Sequence, residues 1–213
     1  MSARSERKCG IIFYEESSLI WRRMCAVSQS ARMRMTAAEF AELPESDQPA
    51  ELIHGEVIMS PTPTDCHQSV VGALYALLRE LTRQTALGGV VRLSPLDVYL
   101  DAVNVVQPDV FWVGPQNARC VLKEDGYWHG PPDLVIEVVS PGSAKRDKAV
   151  KFALYEEAGV RECWMADLAT AHVEVWSLRD GVFVRLGAFV AGDVFESPAL
   201  GGRSVPVAAI FAD

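Results

Sequence analysis

The sequence predicts one mixed α/β domain, a mixed β-sheet core flanked by helices and preceded by a β-hairpin. Three observations carry that prediction. Apolar residues recur at three- and four-residue spacing over 67–81, as one face of a helix requires. The run Leu134-Val135-Ile136-Glu137-Val138-Val139 is apolar on both parities apart from one acid, the pattern of a strand covered on both faces. Further strand-like runs, separated by turn residues, surround these two segments and make the order mixed. The composition, 49% hydrophobic and 23% charged over 213 residues, is that of a globular chain and excludes a disordered tail protein.

In chain order, residues 1–34 are rich in arginine and serine with little periodicity, and we expect a poorly ordered extension there, with the folded domain spanning 35–213. Thr36 and Glu39 form a capping box that opens a short helix through about Leu43, ended by Pro44. Glu51 to Ser60 alternates around His54-Gly55 as a hairpin, closed by Pro61 and Pro63. Val70, Val71, Leu74, Leu77, Leu78 and Leu81 commit one face of a long helix to the core, and Gly88-Gly89 terminates it. Strands are predicted near 90–100, 110–113 and 134–139. A turn at Ser140-Pro141-Gly142-Ser143 leads into a helix over about 144–158 with Gly159 past its end, followed by strands near 162–167, 171–177 and 182–189.

Charge narrows the functional classes. Residues 1–34 hold seven basic and three acidic side chains of the chain's 20 and 28, leaving 13 basic against 25 acidic in residues 35–213. Such an acidic body argues against coating nucleic acid by bulk electrostatics. The exception is an island in which Lys145, Arg146, Lys148 and Lys151 oppose only Asp147. Five dispersed cysteines without a C-x-x-C pair point to reduced thiols and a cytoplasmic location. No apolar run approaches the ~18 residues of a membrane span, so no membrane partner is expected.

Chemistry concentrates at Glu137. A carboxylate inside a β-branched strand costs several kcal/mol to bury unless it is paired or binds a cation. Strand parity places it on the face of Val135 and Val139, opposite Leu134, Ile136 and Val138. Asp109, in Gln107-Pro108-Asp109-Val110-Phe111-Trp112-Val113, is a second carboxylate at the mouth of a strand. Two converging carboxylates with open positions suit Mg²⁺ or Mn²⁺. In the helix that follows, we expect Asp147, Lys148, Lys151 and Tyr155 on one face, and Val150, Ala153, Leu154 and Glu157 on another. Lys151 on such a face can return over the strand end toward Glu137. A plain Asp147–Lys151 surface pair is the competing reading, worth a few tenths of a kcal/mol.

The segments Pro108-Asp109, Pro132-Asp133-Leu134-Val135-Ile136-Glu137-Val138-Val139-Ser140-Pro141, Asp147 through Lys151 to Tyr155, and Gly159-Val160-Arg161-Glu162-Cys163-Trp164-Met165-Ala166-Asp167 resemble a bacterial endonuclease branch of the PD-(D/E)XK restriction-endonuclease-like superfamily. The likeness extends from about Met35 to Phe211. It implies a restriction-endonuclease-like core in which Asp109 and Glu137 bind a divalent metal, Mg²⁺ or Mn²⁺, and a lysine positions or polarises the attacking water. The usual lysine two residues past the glutamate is Val139 here. In the branch resembled, that role moves to the following helix, which points to Lys151.

Glu56 is a further candidate, matching the family's hairpin acid, which could complete the metal surroundings. His67 reads as a residue that caps or packs the start of its helix. The function implied is metal-dependent hydrolysis of DNA phosphodiester bonds. The alternative is a catalytically inactive module that binds nucleic acid or protein on the same fold. A two-carboxylate glycosidase using Asp109 and Glu137 ranks last, since only Phe111-Trp112 supplies aromatics beside the acids. A homodimer is compatible with the sequence and not specified by it.

Overall fold

The structure is a computed structural model describing residues 34–44, 48–139 and 145–211, with the side chains of 145–148 outside that description. The basic N-terminal stretch, the Ser140–Ser143 turn and the side chains of Lys145, Arg146, Asp147 and Lys148 lie outside the described residues.

Helix α1 (Ala37–Ala41) starts at Thr36, whose side chain accepts the Glu39 N–H while the Glu39 carboxylate accepts the Thr36 N–H at 2.8 Å. Strands β1 (Ala50–Ile53) and β2 (Glu56–Met59) form the expected antiparallel hairpin. Its two turn residues, His54 and Gly55, both have positive φ (52° and 78°), as a tight two-residue turn demands. Helix α2 (Asp65–Gln84) is capped by Thr64 and buries Val70, Val71, Leu74 and Leu78. There follow β3 (Val90–Leu93), β4 (Val98–Tyr99), β5 (Val105–Val106), β6 (Val110–Val113), β7 (Val121–Leu122), β8 (Trp128–His129), β9 (Leu134–Val139), α3 (Lys145–Ala158), β10 (Glu162–Asp167), β11 (His172–Arg179), β12 (Val182–Val190), β13 (Val194–Ser197), β14 (Arg203–Pro206) and a short 3-10 turn (Val207–Ala209).

The strands make two large sheets, ordered β12-β11-β10-β9-β6-β3 and β2-β1-β5-β4-β8-β7, and a small β13-β14 hairpin. In the first, β9 and β10 are parallel, with Glu137 beside Met165, and α3 is the crossover that parallel neighbours require. Parity along β9 follows the expected division. Leu134, Ile136 and Val138 pack with α2 in one core, while Val135 and Val139 pack with Leu154 and Tyr155 of α3 in the other. The second sheet departs from expectation. The run predicted as one strand over 90–100 divides between the two sheets, and β4, β5, β7 and β8 are two residues each, too short for any period to show. On α3, Lys151, Leu154 and Tyr155 form one buried face and Ala153 and Glu157 are exposed, so Leu154 belongs with Lys151 rather than opposite it. Spacing of i, i+3 and i+4 requires that grouping. Among the described residues no helix is long and apolar enough to cross a membrane.

Glu137 is not the only buried acid: Glu51, Asp133 and Glu162 are buried as well. Glu162 accepts the Trp164 indole N–H at 2.6 Å and the Ala199 N–H at 2.7 Å. Asp133 accepts the Gly114 N–H at 2.7 Å and the Asn117 side-chain amide at 2.9 Å on Oδ2, and pairs with Arg161 at 3.1 Å on Oδ1. It therefore ties the loop after β6 to the start of β9 and away from Glu137. Asp133→Ala is expected to lower stability by about 2–4 kcal/mol in urea unfolding, because it strands buried donors. A change in divalent-ion affinity in that variant would contradict this purely structural assignment.

Candidate active site

Four elements meet at the end of β9. Strands β6 and β9 run antiparallel with Val110 opposite Ile136, so the register carried one step further faces Asp109 toward Glu137. The Asp109 carboxylate is fixed there by the Val138 N–H, which donates to Oδ2 at 2.7 Å. Helix α3 returns over the same end and delivers Lys151 Nζ to within 2.8 Å of Glu137 Oε1. One turn further on, the Tyr155 hydroxyl donates to the same oxygen at 2.5 Å. From the second sheet, Glu51 of β1 places Oε1 at 2.9 Å from Lys151 Nζ. The Gln107 N–H donates to that Glu51 oxygen at 2.6 Å, and the Gln107 side chain donates to Asp97 at 2.7 Å.

The structure thus brings Asp109, Glu137 and Lys151 together, and Lys151 turns inward to Glu137 and Glu51 rather than serving as part of an exposed basic island. Glu56 is a different case. It lies across the hairpin turn from Ile53, while the acid that reaches Lys151 is Glu51, paired across the hairpin with Ile58. The hairpin offers two acids on one face, and packing of β1 against the β5–β6 connection selects the one farther from the turn. Glu51 is marked by its contacts with Gln107, 56 residues distant, and with Lys151, and no local pattern carries it. His67 does meet its expected place at the helix start, where its backbone N–H donates to Thr64 Oγ1 at 3.3 Å. Its ring goes further: Nε2 stands 3.4 Å from Asp109 Oδ2, and Nδ1 is buried without a partner.

Two carboxylates, Glu137 and Glu51, therefore pair with one ammonium where Glu51, Glu137 and Lys151 are only 6%, 8% and 9% exposed, and Asp109 acts on it through its charge alone. Burial raises the Glu137 carboxyl to about 7; Lys151 opposes the rise, and the Asp109 and Glu51 charges add to it. Burial works against the charged form of Lys151, but Glu137, Glu51 and Asp109 together outweigh it and hold the ammonium above its ordinary range. Tyr155 is pushed well upward by burial and then by Glu137, so it remains a hydrogen-bond donor. The hydrogen bond with Asp109 raises His67, against its partial burial. For Glu137 the folded value lies above 4.5, so the folded chain binds the proton more tightly than the unfolded one. Stability from this group is full below about 4.5 and is lost as pH rises to about 7. Urea unfolding of the metal-free protein at fixed salt should show that decline, and a contribution rising over the interval would contradict it.

The excess of negative charge is a donor set for a hard cation. Asp109 and Glu137 oppose one another with carboxylate oxygens, the ligands that Mg²⁺ or Mn²⁺ prefers. Among the described residues no three Asp, Glu, His or Cys side chains enclose a point by themselves. Ions of this kind commonly take one or two carboxylates and complete their surroundings with water and substrate oxygens, so the pair fits.

A family described as "Putative restriction endonuclease", Uma2, matches residues 37–208. The chain belongs to the Uma2 family. The Uma2 match runs from α1 into the closing 3-10 turn and so includes both sheets and every member of the cluster. A crystal structure from Anabaena variabilis ATCC 29413, described as a putative nuclease belonging to DUF820, aligns with a TM-score of 0.68 at 18% identity, covering 84% of this chain and 98% of that one. At that identity the likeness establishes the fold, which is the restriction-endonuclease-like α/β core. No curated protein matches the chain.

Beside the cluster, β9, β10, β11 and α3 line an open pocket of about 250 Å³ formed by Val139, Phe152, Met165 and Trp176, with Asp167 and Glu174 among its polar groups. Its acids make it a poor cradle for a phosphate. In this Uma2 chain the position two residues past Glu137 is occupied by Val139, packed in the same core as Phe152 and Trp176.

Proposed function

We propose that this Uma2 chain is a divalent-metal-dependent endonuclease that hydrolyses phosphodiester bonds in DNA. The observation that carries the reading is Lys151 Nζ, buried and held 2.8 Å from Glu137 and 2.9 Å from Glu51 at the strand end where Asp109 opens. A basic side chain fixed beside a pair of metal-type carboxylates is what hydrolysis of a phosphodiester requires.

Asp109 and Glu137 would hold Mg²⁺ or Mn²⁺, which when bound supplies charge against the phosphate and makes a bound water more acidic. Lys151 keeps an ammonium at the reacting centre, where it orients the attacking water and faces the negative phosphate oxygens. Glu51 holds Lys151 as a second carboxylate, 2.9 Å from Nζ. Tyr155 fixes the Glu137 carboxylate by donating to Oε1, which limits its rotation. The acidic body leaves substrate binding to local contacts rather than to a broad electrostatic field.

One observation favours a catalytically inactive binding module instead: two carboxylates already neutralise Lys151, as a structural ion pair would. A plasmid nicking assay in Mn²⁺, run beside circular dichroism, separates the two. The nuclease reading expects nicking by the unaltered protein and none by Glu137→Ala or Lys151→Ala with secondary structure preserved. Undiminished nicking by both variants would remove these residues from the chemistry.

The proton on Glu137 competes with the ion. Mn²⁺ affinity is therefore expected to rise as pH increases toward about 7 and to level off above it, followed by calorimetry at constant ionic strength. An affinity flat from pH 5.5 to 8 would mean that Glu137 does not hold the metal.

A further inference from the structure

The start of α2 contains a buried polar group that neither the fold nor the roles assigned above explain. Capping of the helix is performed by the His67 backbone N–H on Thr64, a service any residue other than proline supplies. The imidazole itself is 14% exposed, its Nδ1 is buried with no partner, and its described side-chain partner is Asp109, through Nε2. The ring nitrogen that faces the candidate metal carboxylates is Nε2, which points at Asp109 rather than at solvent.

The separation from Asp109 is informative. At 3.4 Å it is longer than the 2.7–2.9 Å of a strong charge-assisted hydrogen bond. Two donors on neighbouring corners of an octahedral ion, each about 2.1 Å from it, stand about 3 Å apart. The observed spacing therefore lies close to that of two ligands sharing one ion.

We propose that His67 is a nitrogen ligand of the metal centre, joining Asp109 and Glu137, so that the site selects an imidazole-binding divalent transition ion such as Mn²⁺ over Ca²⁺. This rests on the metal-dependent reading above. His67 approaches from α2, on the sheet face opposite α3, so the ion would be gripped between the two helices. The three side chains do not yet meet at one point among the described residues, and ligation requires the ring or the Asp109 carboxylate to rotate inward. Carboxylates alone suit Mg²⁺, Mn²⁺ and Ca²⁺, whereas an imidazole shifts preference toward transition ions.

The test uses Mn²⁺ as the probe and the full chain. Electron spin-echo modulation of bound Mn²⁺ should show coupling to a nitrogen nucleus in the unaltered protein, and the coupling should vanish in His67→Gln. By calorimetry, His67→Gln should weaken Mn²⁺ about 10- to 100-fold and Ca²⁺ less than about threefold. Mn²⁺ bound without nitrogen coupling, or equal losses for the two ions, would overturn the proposal and leave His67 as a residue that only orients Asp109. No Mn²⁺ binding by the unaltered protein would defeat the metal-dependent reading as well. The spectrum of the unaltered protein decides the matter even if the variant does not fold.

Discussion

Lys151→Met is expected to remove DNA cleavage and to destabilise the metal-free protein. The activity loss should be about 10²–10⁴-fold, the range for a positioned proton-transfer or charge-stabilising group. The stability loss should be about 3–5 kcal/mol, because the change leaves the Glu51 and Glu137 carboxylates buried without their common cation. Methionine preserves most of the side-chain volume, so the effect reports charge rather than a cavity. Glu137 can take up a proton below about pH 7, and the destabilisation should therefore shrink at pH 5.5 relative to pH 8. Urea titrations at both values check this. Equal destabilisation at the two would mean that Lys151 contributes packing alone. If Asp109 and Glu137 hold a divalent ion, added Mn²⁺ should also recover part of the lost stability, since binding to the folded state alone stabilises it.

Glu137→Gln is expected to have the opposite thermodynamic signature with the same functional outcome. The carboxamide oxygen can still accept from Lys151 and Tyr155, and Lys151 keeps Glu51 as counter-ion. Removing one of three crowded acids relieves repulsion, so the metal-free protein should be as stable as the unaltered one or more stable at pH 8. Mn²⁺ affinity should fall about 100-fold or more and cleavage with it. The decline of stability between pH 4.5 and 7 should disappear, because its titrating group is gone. A variant that loses stability at pH 8 yet retains cleavage would assign Glu137 to the fold rather than to the chemistry.

The two variants together show which parts of the site local sequence can reveal. Glu137 is legible because a lone acid breaks an apolar strand, and the division of Val135 and Val139 from Leu134, Ile136 and Val138 follows from alternation alone. Lys151 is legible as a helix position one crossover later. Burial of a carboxylate, however, is not by itself a mark of function: Asp133 and Glu162 are also buried and are fully occupied by hydrogen bonds that stabilise the fold. Glu51 was hidden because its role depends on the second sheet, whose two-residue strands have no readable period and whose register brings β1 alongside β5 only after folding. The contact of His67 with Asp109 was hidden for a similar reason. The spacing of α2 gives its apolar face, but how the helix start docks against the mouth of β6 is a tertiary fact. The resemblance carried by the strand and helix segments points to the superfamily, and the family match over residues 37–208 shows membership of Uma2.

The account stands most directly on a calorimetric titration of Mn²⁺ into the unaltered protein and into Asp109→Asn, with DNA cleavage followed in the same samples. It predicts that the unaltered chain binds Mn²⁺ and cuts, that chelation stops the cutting, and that Asp109→Asn loses binding and cleavage together. Cleavage that persists after chelation, or in the variant that no longer binds the ion, would contradict it.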